Sequence, residues 1–404
     1  MSETAQNDAK QADATQAVEK AAQEHWGRLL ALLVARAGTL DLARVEDALG
    51  DAFASALGQW AESGVPANPV AWLFTVARRR LWDQLRREEK IAELPADLPA
   101  KELAHHESFA DERMRLLFVC AHPSIEESMR TALMLQTVLG LDAARVAAAF
   151  LISPSAMAQR LVRVKAKIRD AGVPFAWPQA RDLPERLAAV LEAIYAAYAV
   201  GLEEEAVRLA RIVVELAPRE PEALALLALL RYLDSRTAAR RDSDGRYVPL
   251  EEQDTSRWDT TAIQEAEGLL LAAARHGRLG HYQWEAAIQS VHTARRWSGK
   301  TDWPSIALFY AELNRSWPNI GSQVAQAVAL GQAGQATVGL QQLNGLPSAR
   351  VKTYQPFYAA RAYLRSQLND FCGAQEDYAV AMGLCTDEDV RRWLQARSES
   401  VAQQ

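Results

Sequence analysis

Apolar residues recur at three- and four-residue spacing along nearly the whole chain, the signature of helices that each bury one face. Trp26, Leu29, Leu30, Leu33 and Val34 predict a helix over His25–Ala37, and Leu49, Phe53, Ala56 and Leu57 a second over Val45–Trp60. The stretch Ala61–Pro69, with one Gly and two Pro, interrupts the pattern. A third helix is predicted from about Val70 to Glu89, and Ala92–Glu107, with two Pro among alternating charges, reads as a linker. Asp111–Arg169 forms a second helical stretch, closed by Pro174, Pro178 and Pro184. Beyond Pro184 the pattern is again helical, broken by Pro, Gly and Asn turns, and only Arg246–Leu250 hints at a strand. The predicted class is all-α.

The same reading divides the chain into a disordered tail (1–21), a helical unit (22–90), a linker (91–110), a second unit (111–173), a further linker (174–183) and a long helical extension (184–400). In the extension, Glu205–Pro218 followed by Glu222–Leu229, and Ala359–Leu368 followed by Ala374–Ala381, pair small Ala residues with Leu or Tyr, a pattern similar to degenerate tetratricopeptide repeats. A generic helical bundle satisfies the same pattern.

Composition narrows the setting. The 404 residues include only three Cys, at 120, 372 and 385, with no Cys-x-x-Cys pair, so a reducing, cytoplasmic compartment is expected. No run approaches the ~20 apolar residues of a membrane span, and the polar, Gln-rich start of the chain lacks a signal-peptide core. A net charge of −6 argues against nucleic acid until it is resolved locally. Residues 78–90 hold six basic and three acidic side chains, and residues 157–170 five basic and one acidic. Two basic helices on an acidic body fit a DNA reader; a pair of solvated helix faces accounts for the same charge.

The most specific local pattern spans residues 128–170. A helix Ser128–Leu139 stops at Gly140, Asp142 is placed to cap Ala143–Phe150, and a short turn leads to Ser153 as N-cap with Pro154 as first helical residue. The last helix returns Met157, Leu161, Val164 and Ile168 to the core and presents Ser155, Gln159, Arg160, Arg163, Lys165 and Lys167. Two helices, a tight turn and a basic second helix make a helix-turn-helix, whose capped end enters a major groove; a helical hairpin that meets no DNA is the alternative. The second pattern combines Asn68, Trp72 and Phe74 with Arg78, Arg79, Arg80, Arg86 and Arg87. Aromatic faces beside cations suit unpaired bases. Trp72 and Trp82 lie about 80° apart around a helix, however, which suits one core stripe equally well.

These segments resemble a known family. Val45–Leu57, Ala71–Arg78 and Leu85–Arg87 look like regions 2.2 to 2.4 of an extracytoplasmic-function RNA polymerase sigma factor, and Ala158–Lys165 like the recognition helix of its region 4.2. Leu116–Pro123, Ile168–Phe175, Leu183–Val190, Asp254–Asp259 and Tyr358–Tyr363 resemble the subgroup with a tetratricopeptide-like C-terminal extension. The resemblance implies a non-enzymatic, cofactor-free promoter-specificity subunit. Asp47, Asp51 and Phe53 would dock on the clamp helices of the polymerase's largest subunit. The loop 62–68 and the helix from Trp72 would hold the −10 element, and the helix from Pro154 would read the −35 element. A solenoid of helix pairs offers a surface for a small regulatory protein; an extension that clamps the two DNA-binding units shut, or braces them open, fits the same sequence. Gly50 and Arg79 depart from the family's usual residues. The alternative is a helical scaffold whose sigma-like half is inactive.

Other patterns are weaker. Cys120 and His122 form a Cys-x-His pair without a second pair to complete a zinc site. Asp242–Gly245 begins like a calcium loop but has Gln253 at its twelfth position. Asp254, Arg257, Trp258 and Asp259 read either as an internal salt bridge with a Trp plug or as a patch that stabilises the extension against the sigma-like half.

Overall fold

The computed structural model describes residues 3–37, 40–87, 106–150, 152–179 and 181–403, and the side chains of 10–37, 40–87, 112–150, 152–179 and 181–403. The linker stretch 91–105, including His105, lies outside the described residues. Among those described the fold is all-α. Arg241 and Tyr247 form an isolated bridge where a strand was conceivable. The chain divides into two compact units, residues 1–213 and 214–404.

The first unit contains α1 (Glu3–Ala37), α2 (Leu42–Ser63), α3 (Pro69–Arg87), α4 (His106–Cys120), α5 (Glu127–Thr137), α6 (Ala143–Ala149), α7 (Pro154–Asp170), α8 (Leu183–Ala199) and most of α9 (Glu203–Leu216). Helix α1 begins inside the stretch read as a disordered tail. Ala14, Val18 and Ala21 continue the buried stripe of Leu29, Leu30 and Leu33 toward the N-terminus, so burial extends the helix. Helices α8 and α9, read as the start of the extension, pack within this unit. Arg130 donates to Glu185 at 2.8 Å, and buried Arg113 pairs with Glu205, which also holds Arg208.

Two glycines set how closely the first helices approach. A Cβ at Gly27 of α1 would lie 1.7 Å from the Val138 carbonyl oxygen after α5, so only glycine fits there. Gly140 adopts φ +70° and lies against the Trp26 ring, which also stacks on Phe53 with centroids 5.9 Å apart. The N-terminal three helices and the α4–α7 group therefore form one packed body.

The second unit contains α10 (Pro221–Asp234), α11 (Thr260–Ala274), α12 (His281–Ser298), α13 (Trp303–Ser316), α14 (Ile320–Gln332), α15 (Ala336–Asn344), α16 (Ser348–Val351), α17 (Gln355–Gln367), α18 (Phe371–Leu384) and α19 (Glu388–Ala402). The turn between α17 and α18 passes through Asn369 at φ +62°, and Ala362, Ala374 and Ala381 are buried in the cluster around this helix pair. The Trp plug is present: Trp258 is buried, its Nε1 donates to Gln253, and the Arg295 guanidinium lies 5.0 Å from its ring. Asp254 and Asp259 act as caps there, and Arg257 donates to the Arg241 carbonyl. Glu222 of α10 reaches the start of α12, accepting from the backbone N–H of Tyr282 at 2.8 Å and Gln283 at 3.3 Å.

Candidate nucleic-acid interface

Helix α3 starts where the sequence breaks α2. Gly64, at φ +83°, donates back to the Trp60 carbonyl, and the Asn68 side chain accepts from Ala71 N–H at 3.0 Å. Asn68 is thus committed to a cap, a contact typically worth ~1 kcal/mol. Leu73, Phe74, Ala77, Leu81, Trp82 and Leu85 form the buried face of α3. Phe74, predicted to meet bases, is a core residue, 2% exposed, because it follows the same three- and four-residue stripe as Ala77 and Leu81. Trp72 is half-buried and lies edge-on to Trp60 at 5.6 Å, leaving part of the ring accessible. Arg79, Arg86 and Arg87 are exposed, and Arg78 is partly covered. Arg80 is engaged: it donates to Asp51 at 3.1 Å and to Ser55 at 2.6 Å.

Asp47 and Asp51 lie one turn apart on the exposed face of α2, the face opposite its buried Leu49, Ala52 and Ala56. Phe53, predicted to join them at a polymerase surface, is buried beneath Trp26. Its place in the Leu49–Phe53–Ala56–Trp60 stripe accounts for that. Open space surrounds Gly50, so no close approach demands glycine in this helix.

Helices α6 and α7 follow their sequence signals closely. Asp142 accepts from Arg145 N–H at 2.8 Å, Ser153 accepts from Ala156 N–H at 3.3 Å, and Pro154 opens α7. Ser155, Gln159, Arg160, Arg163 and Lys167 are exposed along one side of α7, with the Arg163 Nε donating to the Gln159 carbonyl. Met157, Leu161 and Ile168 are buried opposite them.

Lys165 departs from the predicted surface. It is 7% exposed, on the inward stripe of α7, and its Nζ forms an ion pair with Glu46 of α2. Thr137 at the end of α5 donates to the same carboxylate at 3.4 Å. Burial raises the Glu46 carboxyl above its ordinary range, against the pull of Lys165. Lys165 is therefore held by protein, and the basic face of α7 consists of Arg160, Arg163 and Lys167. Glu46 carries no charge motif that marks it in the sequence. The available signal is a lysine inside an apolar stripe, since a buried cation demands a buried partner.

The remaining candidates fall away from this surface. Cys120 is fully buried, and burial pushes its thiol up, disfavouring the thiolate a metal would need. His122, whose pKa is lowered by burial and by Arg186, hydrogen-bonds Ser124 through Nδ1 at 2.8 Å in the turn after α4. Among the described residues, no group of three or more His, Cys, Asp or Glu is placed to hold a metal ion. Asp242 accepts from Asp244 and Arg246 N–H in a tight turn. No helix among the described residues is long and apolar enough to cross a membrane.

Comparison with known proteins supplies a frame for these surfaces. Residues 22–91, covering the C-terminal part of α1 with α2 and α3, match the model for sigma-70 region 2. Residues 186–274 match a family of unknown function (DUF6596). An uncharacterized protein of Rhizobium meliloti (strain 1021) is 35% identical over 386 residues, covering 90% of each chain. No solved structure matches. The chain belongs to the same family as that Rhizobium meliloti protein, and its sigma-70 region 2 supports a sigma factor of the sigma-70 family with a role in transcription initiation.

Proposed function

We propose that the chain is a sigma factor of the extracytoplasmic-function type that directs polymerase to its own promoters, with a regulatory helical extension. The observation that supports this most is the placement of two basic helix faces. One, on α3, lies within the sigma-70 region 2 match, and the other, on the capped helix α7, follows it in the chain. In this reading Asp47 and Asp51 meet the clamp helices of the polymerase core. The Trp72 edge with Arg78, Arg79, Arg86 and Arg87 holds the opened −10 strand, stacking and pairing with phosphates. Gln159 and Arg160, near the N-terminal end of α7, reach base edges of the −35 element, while Ser155, Arg163 and Lys167 position the helix on the backbone. The extension carries regulation, a helical surface on which a small protein partner docks.

The test begins with mapping transcript 5′ ends after overexpression, which supplies the target promoter. Purified chain is then added to core polymerase on that promoter. Transcription that depends on the chain, and falls on Arg160→Ala, is the expected result. Core polymerase left unable to initiate there in its presence would favour the scaffold reading instead.

A further inference from the structure

We propose that the second unit holds a binding site for a small organic amine, an apolar body carrying one cationic donor group, in the cleft between α11 and α12 above Tyr232. The site lies wholly within that unit. It goes beyond the promoter-reading role and stands whether or not the chain serves a polymerase.

The cleft begins with the composition of α11. From Gly268 to Ala274 this helix has no polar side chain, so its last two turns are apolar on every side. Such a surface belongs in an interior, yet Ala273 is buried while Leu271 is 63% exposed. The incompletely covered side of α11 and the facing side of α12 flank a cavity of about 940 Å³, at the upper end of the range of small-molecule sites. Leu270 of α11, Val291 and Ala294 of α12, and Pro304 of α13 supply its apolar walls.

The polar groups define what fits. Tyr232 of α10 is fully buried and lines the cavity, and its hydroxyl has no hydrogen-bond partner among the described residues. A buried hydroxyl is ordinarily satisfied, so a bare one beside a cavity marks the place of a missing partner. Burial, and after it the negative charge of Glu267, push the phenol's pKa up, so it stays protonated with its oxygen free to accept. Glu267 lies on the α11 wall, exposed, with no ion pair or hydrogen bond among the described residues. On the far side the Asp302 carboxylate caps α13, accepting from the Ser305 hydroxyl at 2.6 Å. Lys300 is the one cation lining the cavity among the described residues, against the two carboxylates.

This balance selects a cation. An ammonium group between Tyr232 and Glu267 donates to the phenol oxygen and to the carboxylate, and so satisfies both. Its apolar body then covers the leucine and valine walls that water otherwise wets. A carboxylate ligand would accept from Tyr232 but would face the like charge of Glu267.

Dansylcadaverine, a fluorescent apolar body on a primary amine, is the probe, titrated into the full chain beside its anionic counterpart, dansyl-aminohexanoic acid. The amine should give a saturable, one-to-one gain in emission, and the acid should bind about tenfold more weakly or worse. Glu267→Gln and Tyr232→Phe should each weaken the amine about fivefold. Ala294→Trp, which fills the cavity from an exposed position, should abolish the signal. Tyr232→Phe also distinguishes a ligand group from a structural one. With no internal partner to lose, that variant should unfold at the wild-type denaturant midpoint or above it while binding less probe.

Equal binding of amine and acid, binding that survives Ala294→Trp, or the lack of any saturable signal would each overturn the site. A Tyr232→Phe chain that unfolds earlier than the wild type would do the same, because its hydroxyl would then be serving the fold. None of these readouts involves polymerase, so their failure leaves promoter-directed transcription untouched, and a failure of transcription leaves the amine site standing.

Discussion

Helices α3 and α7 carry similar basic sequences and each ties a cation to α2, yet the two pairs differ in kind. Arg80 meets Asp51 at the surface, both side chains about half exposed, where water screens the attraction and either partner is free to exchange. Lys165 meets Glu46 with side chains 8% and 17% exposed, where neither is solvated adequately without the other. Basic composition alone therefore does not define a nucleic-acid surface. The angular position of each cation around its helix determines whether it faces a ligand or the protein interior.

The largest expected effect comes from removing the cation from each pair. Lys165→Ala leaves Glu46 largely buried and unpaired and should lower the stability of the first unit by about 3 kcal/mol, whereas Arg80→Ala should cost well under 1 kcal/mol. Chemical denaturation of the two variants side by side checks this, and equal losses would erase the distinction.

A buried neutral group in the second unit sharpens the same contrast. His292 is packed against Trp303, and burial, with Arg236 and Arg295 nearby, lowers its pKa to about 3. The folded state refuses a proton that the unfolded chain accepts below about pH 6.5. Stability should thus be flat above that pH and fall by about 1.4 kcal/mol per unit as the pH drops from there toward 3. His292→Leu should remove this slope from denaturation curves collected between pH 7 and 4.

On the exposed face of α7 the contrast lies between two cations in different roles. Arg160→Ala should weaken promoter binding by about 1–3 kcal/mol and relax base preference, while Lys167→Ala should weaken all sequences alike and reduce the salt slope by about one. Fluorescence anisotropy with promoter and scrambled duplexes across a salt series separates the two. The smallest effect belongs to α2: Gly50→Ala, into open space, should raise its stability by up to about 1 kcal/mol, visible as a higher unfolding midpoint.

Much of the fold was legible because its signals are local. Asp142, Ser153 and Pro154 each act within three residues of themselves, and the structure places Asp142 and Ser153 as N-caps and Pro154 as the first residue of α7. The partner of Lys165 was not legible, because it lies 119 positions away; only the place of Lys165 in an apolar stripe marks it as inward-facing. Phe53 and Phe74 differ again. Periodicity placed Phe53 on a buried stripe and the family resemblance drew it toward the surface, whereas Phe74 was read toward unpaired bases because it stands beside Trp72 and a run of arginines. Helix α1 extends further than its polar opening suggests, since three small or branched apolar residues four and three apart suffice to bury one side of it.

The carboxylate of Glu222 fills the space beside Gly280, where a Cβ would lie only 2.2 Å from its carboxyl carbon, and it closes the start of α12 from sixty residues upstream. The first turn of that helix is therefore completed by a residue of another helix. A fragment that begins after residue 222 would carry the whole of α12 and still leave its leading amides bare, so α12 should fray from that end when expressed without α10.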